Sequence, residues 1–291
     1  MCAARIYHYL ILIGLLCSVS EAKKAQKIKF PEEDCIVAML PGEGPGQYSH
    51  HVGAGQSLCP RCFAIDPNDG AFYIPEVDTH CNIRLHKFDR SGNFVRMLKL
   101  KLEGQTYLVS GVAVGSNGDI YMCVNRLLQE AAEDCICRYN RQGKLLNMFG
   151  QKGPITKADL EAEKKAKEKG REIPTREKYF WGGGDIFMLS DEQVLFIQNY
   201  FGSGGHSPDT FRFDGRSGRL LEHIKENRNL PKEIAHIRDS HLKKLEVLIK
   251  ADHERKRITA RVYSLIGPDG LFYYMSVEPE RLEIRRVLFY K

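Results

Sequence analysis

Apolar residues in this chain come in short runs that alternate with polar ones and break at polar turns containing glycine. Ile83-Arg-Leu-His-Lys-Phe88 places apolar and polar side chains on opposite faces of one extended segment, the period of a half-buried strand. Four stretches repeat one grammar: an apolar strand, a turn, an apolar-aromatic strand, a third strand with an aromatic, a polar glycine turn and a fourth strand. The first runs from Cys62 through Asp69-Gly70, Ala71-Phe-Tyr-Ile-Pro-Glu76 and Ile83 to Asp89, then through Ser91-Gly92 to Leu98. The second covers Gly111 to Phe149, with Asp119-Ile-Tyr-Met-Cys123 as its second strand and Gln142-Gly143 as its late turn. The third, looser, covers Asp185 to Ile224, and the fourth Ala260 to Phe289. Glycine in such turns supplies the positive φ that tight hairpins require.

A four-stranded antiparallel meander repeated along a chain is the unit of a β-propeller, since one sheet cannot cover both its faces while radial stacking does. The predicted fold class is therefore all-β, a β-propeller of four-stranded antiparallel blades with four blades recognisable and two helical insertions. The second-strand aromatics Tyr73, Tyr121, Phe196 and Tyr273 lie 48, 75 and 77 residues apart. A blade takes about 40–50 residues, so each longer gap holds one blade and an insertion. The chain ends soon after a third strand. Cys35-Ile-Val-Ala-Met-Leu40, which precedes the first full unit, is placed to supply the missing fourth strand and close a ring, although an incomplete ring is also open.

Gly42-Glu-Gly-Pro-Gly-Gln-Tyr48, Pro60-Arg-Cys-Phe-Ala-Ile-Asp66, Asp69-Gly-Ala-Phe-Tyr73 and Asn82-Ile-Arg-Leu-His-Lys-Phe-Asp89 with Ser91-Gly92 resemble the NHL repeat. The resemblance is good over residues 42–98, moderate over 111–149 and only in outline elsewhere. It implies a propeller of the six-bladed type, used mostly as an interaction platform, with some relatives acting as enzymes.

The insertions differ in character. Thr156 to Gly170 is rich in Lys and Glu, with an N-cap-like Thr156, a stop at Gly170 and a thin apolar line of alanines. Over 231–250, Ile234, Ile237, Leu242, Leu245, Leu248 and Ile249 fall within one arc at helical spacing, which predicts an amphipathic helix packed on the propeller or presented to a partner.

Arg5 followed by an apolar run and then Ser18-Val-Ser20 or Ser20-Glu-Ala22 has the layout of a cleaved export signal over residues 1–22, too short to span a bilayer comfortably. The expected domain is then 23–291, exported to a periplasmic or extracellular space, with no stable membrane span after cleavage. The formal net charge of +6 is concentrated in residues 216–257 and reads as a solvated basic face, with no nucleic-acid partner implied. Beyond Cys2 and Cys17, seven cysteines remain: Cys35, Cys59, Cys62, Cys81, Cys123, Cys135 and Cys137. In an exported protein they are disulfide candidates, with connectivity open. Cys59-Pro-Arg-Cys62 and Cys135-Ile-Cys137 also allow a four-thiolate zinc site or a redox pair.

Glu76, Asn199 and Ser276 stand three residues after a second-strand aromatic, and Asn125 four after Tyr121. Glu76, Asn125 and Asn199 are candidate ligands for Ca²⁺ or another hard divalent cation at the channel mouth; no other cofactor is expected. Lactonases of the gluconolactonase type, to which the resemblance extends, use a similar set. His50-His51 and Gly202-Ser-Gly-Gly-His206 fall in predicted loops. No nucleophile elbow, phosphate-binding glycine loop or paired-His metal motif is present. The function expected is an exported, non-catalytic binding or scaffold module for protein or carbohydrate ligands, acting through the propeller face and the loops of residues 199–209. The alternatives are a metal-dependent hydrolase or lyase with its site at the channel mouth, and an adaptor acting through the 231–250 helix.

Overall fold

The computed structural model describes residues 32–49, 51–53, 56–128, 131–150, 184–189, 193–198, 209–224 and 261–288, and the single positions Glu168, Lys243, Lys244 and Val247. Its strands are β1 (Glu32–Pro41), β2 (Gln47–Tyr48), β3 (His51–Gly53), β4 (Gln56–Leu58), β5 (Ala64–Ile65), β6 (Phe72–Val77), β7 (Ile83–Phe88), β8 (Phe94–Leu100), β9 (Gln105–Val114) and β10 (Ile120–Leu128). The series continues with β11 (Ala131–Tyr139), β12 (Leu145–Phe149), β13 (Gly184–Met188), β14 (Gln193–Gln198), β15 (Thr210–Asp214), β16 (Leu220–Ile224), β17 (Arg261–Ile266), β18 (Phe272–Glu278) and β19 (Arg281–Leu288).

Three sheets are simple four-stranded meanders, β5–β8, β9–β12 and β13–β16. The fourth contains β17, β18 and β19, and its next strand is β1 from the other end of the described chain. β1 runs antiparallel to β19, with Met39 opposite Leu282 and Ala38 opposite Glu283, and a register shift between Cys35 and Val37. The N-terminal strand thus completes the last meander, as its apolar pattern predicts, and the free edge of β19 is covered.

Sheets are joined through their faces. Alternation sends Phe72, Ile74 and Phe88 of the first sheet toward Val37, Met39, Met275 and Ile284 of the fourth. The opposite face of the first sheet, with Tyr73, Ile83 and Leu85, packs on Val112, Ile120 and Met122 of the second. The second sheet's other face, with Tyr121, Cys123 and Ile136, meets Ile186, Phe196 and Phe211 of the third. Each of these large side chains contributes about 1.5–3 kcal/mol by leaving water. The innermost strands also come together. The Cys62 thiol beside β5 donates to the Val109 carbonyl of β9 at 3.7 Å, and the Gly184 N–H of β13 donates to Ser110 Oγ at 3.2 Å. Phe63 packs edge-on to Tyr263 of β17, with ring centroids 5.6 Å apart. Four-stranded meanders stacked face to face with their first strands converging form the blades of a β-propeller.

The second-strand aromatics anchor the seams; Tyr73, Tyr121, Phe196 and Tyr273 are all buried. Three of them sit opposite a base on the third strand: Lys87 across from Tyr73, Arg138 from Tyr121 and Arg286 from Tyr273. Lys87 Nζ lies 5.2 Å from the Tyr73 ring centre and pairs with Asp69 at 3.2 Å, while Arg138 holds Asp119 through Nε at 2.8 Å. Arg138 and Tyr121 also reach the next blade, donating to the Arg216 and Gly215 carbonyls at 3.2 Å each.

The predicted fold class requires a correction. The strand pattern holds, but every element described is a strand, and among the described residues the architecture is all-β, with no helical insertion. Of residues 156–170 only Glu168 is described, and of 231–250 only Lys243, Lys244 and Val247; the remainder of both segments lies outside the described residues. Glu168, Lys243 and Val247 are exposed, the six residues of the expected apolar stripe lie outside the described residues, and the period of two governs every strand described. Lys244 donates from Nζ to the Gly270 carbonyl in the turn between β17 and β18, at 2.9 Å.

The turns between third and fourth strands share one device. Asp89 Oδ1 accepts the N–H groups of Ser91 and Asn93, and Asn140 Oδ1 those of Gln142 and Lys144. Asp214 Oδ1 accepts from the Ser217 N–H and hydroxyl. These bonds hold the Asp89 and Asp214 carboxyls below the usual carboxylate range, led at Asp89 by the Asn93 amide and at Asp214 by the Ser217 N–H. Groups depressed in the folded state contribute stability above the unfolded pKa of about 3.9, and that contribution is lost as pH falls through the lower folded values. Acidification below about pH 4 should therefore lower Tm, and Asp89→Asn with Asp214→Asn should make the fall shallower. Calorimetry from pH 6 to pH 2.5 checks this, and an identical slope in the variant would contradict it.

Candidate functional site

The strand alternation that fills the seam between the fourth and first blades also sends charge into it. On β6 and β7, Glu76, Arg84 and His86 share the face of Phe72 and Ile74, and Glu76 sits directly opposite Arg84. Glu76 is 1% exposed, Arg84 2% and His86 0%. Glu76 Oε1 accepts from Arg84 Nη2 at 2.6 Å and from His86 Nε2 at 2.8 Å, and its Oε2 accepts the Ser49 N–H at 2.7 Å. Arg84 also donates to Ser49 Oγ at 2.7 Å and to the Glu43 carbonyl at 2.6 Å, and pairs with the Glu43 carboxylate at 3.0 Å. His86 Nδ1 and Arg84 Nε are buried without a hydrogen-bond partner. The cluster ties the segment after β1 to the first blade. Tyr48 fastens the same segment to the fourth blade through its hydroxyl, which donates to the Glu278 carbonyl, and burial pushes its pKa up to about 12.

At the same end of the first blade lies a small open cleft. Val77 and Val109 form apolar walls, and Cys59, Arg61, Glu76 and Tyr107 supply the polar lining. Its enclosed part has room for about one water molecule. Behind it, toward the converging inner strands, burial and the nearby Asp185 charge raise the pKa of both the Cys62 thiol and the Tyr263 hydroxyl.

The expected ligands are distributed differently from the sequence expectation. Glu76 lies at the end of β6 and lines the cleft, but both its oxygens already serve Arg84, His86 and Ser49. Asn125 on β10 donates from Nδ2 to Asp134 Oδ1 at 2.9 Å and does not line that cleft. Asn199 lies outside the described residues, as do His50 and Gly202 to His206; Ser276 is buried on β18. Among the described residues, no group of three or more His, Cys, Asp or Glu side chains is gathered to hold a metal ion.

The disulfide expectation is also corrected. Among the described residues, none of Cys35, Cys59, Cys62, Cys81, Cys123, Cys135 and Cys137 is joined in a disulfide. The strand pattern separates them: Cys123 enters the seam of the second and third blades, while Cys62, Cys135 and Cys137 enter that of the first and second. Burial pushes the Cys123 thiol up to about 12 and the Cys62 thiol well above its usual value, which keeps both protonated and inert. Ellman's reagent should therefore modify Cys35, Cys59 and Cys81 in the native protein and reach the four buried thiols only in denaturant. Modification of Cys62, Cys123, Cys135 or Cys137 within minutes without denaturant would contradict this seam assignment.

Sequence reasoning missed Arg84, His86, Ser49, Arg61, Tyr107, Asp185 and Tyr263. A signal for the ion cluster was present: Glu76, Arg84 and His86 occupy every second position of two strands that otherwise turn this face to the core. Gly111 and Gly184 marked the converging inner strands, because a Cβ on Gly111 would sit 2.6 Å from the Gly184 carbonyl oxygen.

No protein-family model matches the sequence, and no curated protein matches it. Among solved structures, the chain is similar to a gluconolactonase from Xanthomonas campestris at 10% identity and a TM-score of 0.33, covering 81% of this chain and 59% of that one. It is similar to the soluble aldose sugar dehydrogenase of Escherichia coli at 8% identity and a TM-score of 0.37, covering 88% and 99%. The β-propeller domain of the trilobed protease from Pyrococcus furiosus, of open velcro topology, aligns at 11% identity and a TM-score of 0.31, over 57% and 42%. The chain thus spans about three fifths of the gluconolactonase and less than half of the protease domain. At these scores the likenesses carry no functional argument, and the blade assignment rests on the strand pairing.

Proposed function

We propose that this protein is an exported, NHL-like β-propeller that works as a binding module, presenting the cleft at the end of its first blade to a protein or carbohydrate ligand. The observation that carries this reading is the cleft itself. Its enclosed part is too small to engulf a substrate, yet Arg61 and Tyr107, the latter donating from its hydroxyl to Gln105 Oε1 at 3.2 Å, both line it. A guanidinium beside an aromatic ring is a combination enriched where surfaces bind partners. The ion cluster behind it supports a rigid platform, because Glu76 is held by three donors and fixes the floor. Service of Glu76 as a metal ligand, as the hydrolase reading requires, would first have to displace Arg84 and His86.

Export rests on the N-terminal pattern of residues 1–22, which lie outside the described residues. Mass spectrometry of the mature N-terminus of protein recovered outside the cytoplasm checks it. For binding, neutral and acidic oligosaccharides and a library of extended peptides are titrated by calorimetry. The expected result is saturable binding by at least one probe class, weakened about tenfold or more by Arg61→Ala in a variant of unchanged Tm, equivalent to about 1.4 kcal/mol. Turnover of sugar lactones that depends on Ca²⁺ or Zn²⁺ would overturn the reading, as would binding indifferent to Arg61 and Tyr107.

A further inference from the structure

Cys135 and Cys137 have no part in the cleft or in the ion cluster. They stand two residues apart on β11, so both side chains leave the same face, and their sulfurs lie 3.7 Å apart. Both are buried in the seam between the first and second blades. Tyr139, two residues further along the same face, is 0% exposed, and its hydroxyl has no hydrogen-bond partner of its own. Burial, and after it the neighbouring Cys137 and Cys135, raise the pKa of that hydroxyl. The contact with Cys137 and burial raise the Cys135 pKa, and the charge of Arg126 on β10, 3% exposed and donating to the Glu103 carbonyl at 2.9 Å, only partly opposes the rise.

We propose that Cys135 and Cys137 form a two-thiolate chelate for a soft divalent ion of the zinc class, with the Tyr139 hydroxyl oxygen as a third donor. The bite distance points to this class. Two zinc–sulfur bonds of about 2.3 Å at a tetrahedral angle set the sulfurs ~3.8 Å apart, whereas a linear two-coordinate ion with similar bonds needs ~4.6 Å. The separation of 3.7 Å, at which the two thiols also share a hydrogen bond, matches the tetrahedral spacing. Binding releases one proton from each thiol to solvent and leaves a neutral metal–dithiolate unit. Such a unit avoids the cost of a net charge in the apolar seam. The unpartnered phenol gains a use it lacks in the thiol form. This pair replaces the four-thiolate arrangement the sequence allowed. Cys62 donates instead to Val109, and Cys59 faces the cleft.

Because the seam is closed, loading is coupled to folding, and the full chain is refolded under reducing conditions with Cd²⁺ as an optical probe of thiolate ligation. Cys2, Cys17, Cys35, Cys59 and Cys81 are first replaced by serine, so that only the thiols of the seams remain. The expected result is about one Cd²⁺ per chain after desalting, with a thiolate-to-metal charge-transfer band. Cys135→Ser and Cys137→Ser should each reduce retention at least tenfold, and Cys62→Ser should leave it unchanged. Tyr139→Phe, which keeps the buried ring, should weaken retention several-fold without abolishing the band. Circular dichroism identifies any variant that fails to fold, and for such a variant the alanine substitution at the same position is measured. Retention unaffected by changes at Cys135 and Cys137 in folded protein overturns the proposal, as does complete loss of Cd²⁺ from the parent on desalting.

Discussion

Replacing Glu76 by glutamine is expected to cost the protein about 3–5 kcal/mol, the usual consequence of breaking a buried ion pair from one side. The carboxamide has nearly the same shape and can still accept the Ser49 N–H. The Arg84 guanidinium, however, would stay 2% exposed with its charge balanced only by Glu43, half of whose side chain faces solvent. His86 would lose the acceptor of its Nε2–H as well. Urea unfolding of both proteins measures the difference as a change in midpoint at constant slope. Changing Arg84→Met on top of Glu76→Gln should restore part of the loss, since no guanidinium charge is then left buried without its partner. A loss below about 1 kcal/mol for the single variant would show that the cluster is far more hydrated than its burial implies.

The second large effect is expected at Gly92, in the turn between β7 and β8. Its φ is +83°, in the left-handed region, and a Cβ there would lie 1.6 Å from the Ile36 carbonyl oxygen on β1. Gly92→Ala combines backbone strain with a backbone clash, and neither is relieved by a rotamer change. A loss of about 2–5 kcal/mol follows from strain and overpacking together. The clash bears on β1, so the damage should spread to the fourth blade, where β1 pairs with β19. The equivalent glycine of the second blade, Gly143, meets the flexible end of Leu100 at 2.8 Å, so Gly143→Ala should cost visibly less. Thermal unfolding of the two variants side by side checks the order, and equal losses would mean that the approach to Ile36 is unimportant.

Much of the fold was legible because a strand repeats every second residue and each blade repeats its turns. Tyr73, Tyr121, Phe196 and Tyr273 mark the repeat, and the apolar run Cys35 to Leu40 is one candidate for the missing fourth strand, beside an incomplete ring or a truncated member of a larger family; its pairing with β19 comes from the structure. The helical insertions were the weak inference. Their periodicity lay in charged segments that no repeated strand constrained. The site was much less legible. Glu76 stood out by position, but a carboxylate at a strand end reads equally as a metal ligand or as half of an ion pair. Only the register of β6 against β7, which sets Arg84 opposite and His86 diagonal to it, decides between them. Cysteine count and export pattern favoured disulfides, whereas strand direction sends the thiols into separate seams. No spacing rule in one sequence reveals that separation.

The last blade is completed by one pairing between distant parts of the chain, that of β1 with β19. Amide hydrogen exchange of the peptide covering residues 32–41, followed by mass spectrometry, tests that contact most directly. If β1 is the fourth strand of the last blade, its bonded amides should exchange as slowly as those of β18 and β19 and be released together with them in rising denaturant. Exchange of β1 within seconds, while β18 and β19 remain protected, would contradict closure by the N-terminal strand and with it the propeller described above.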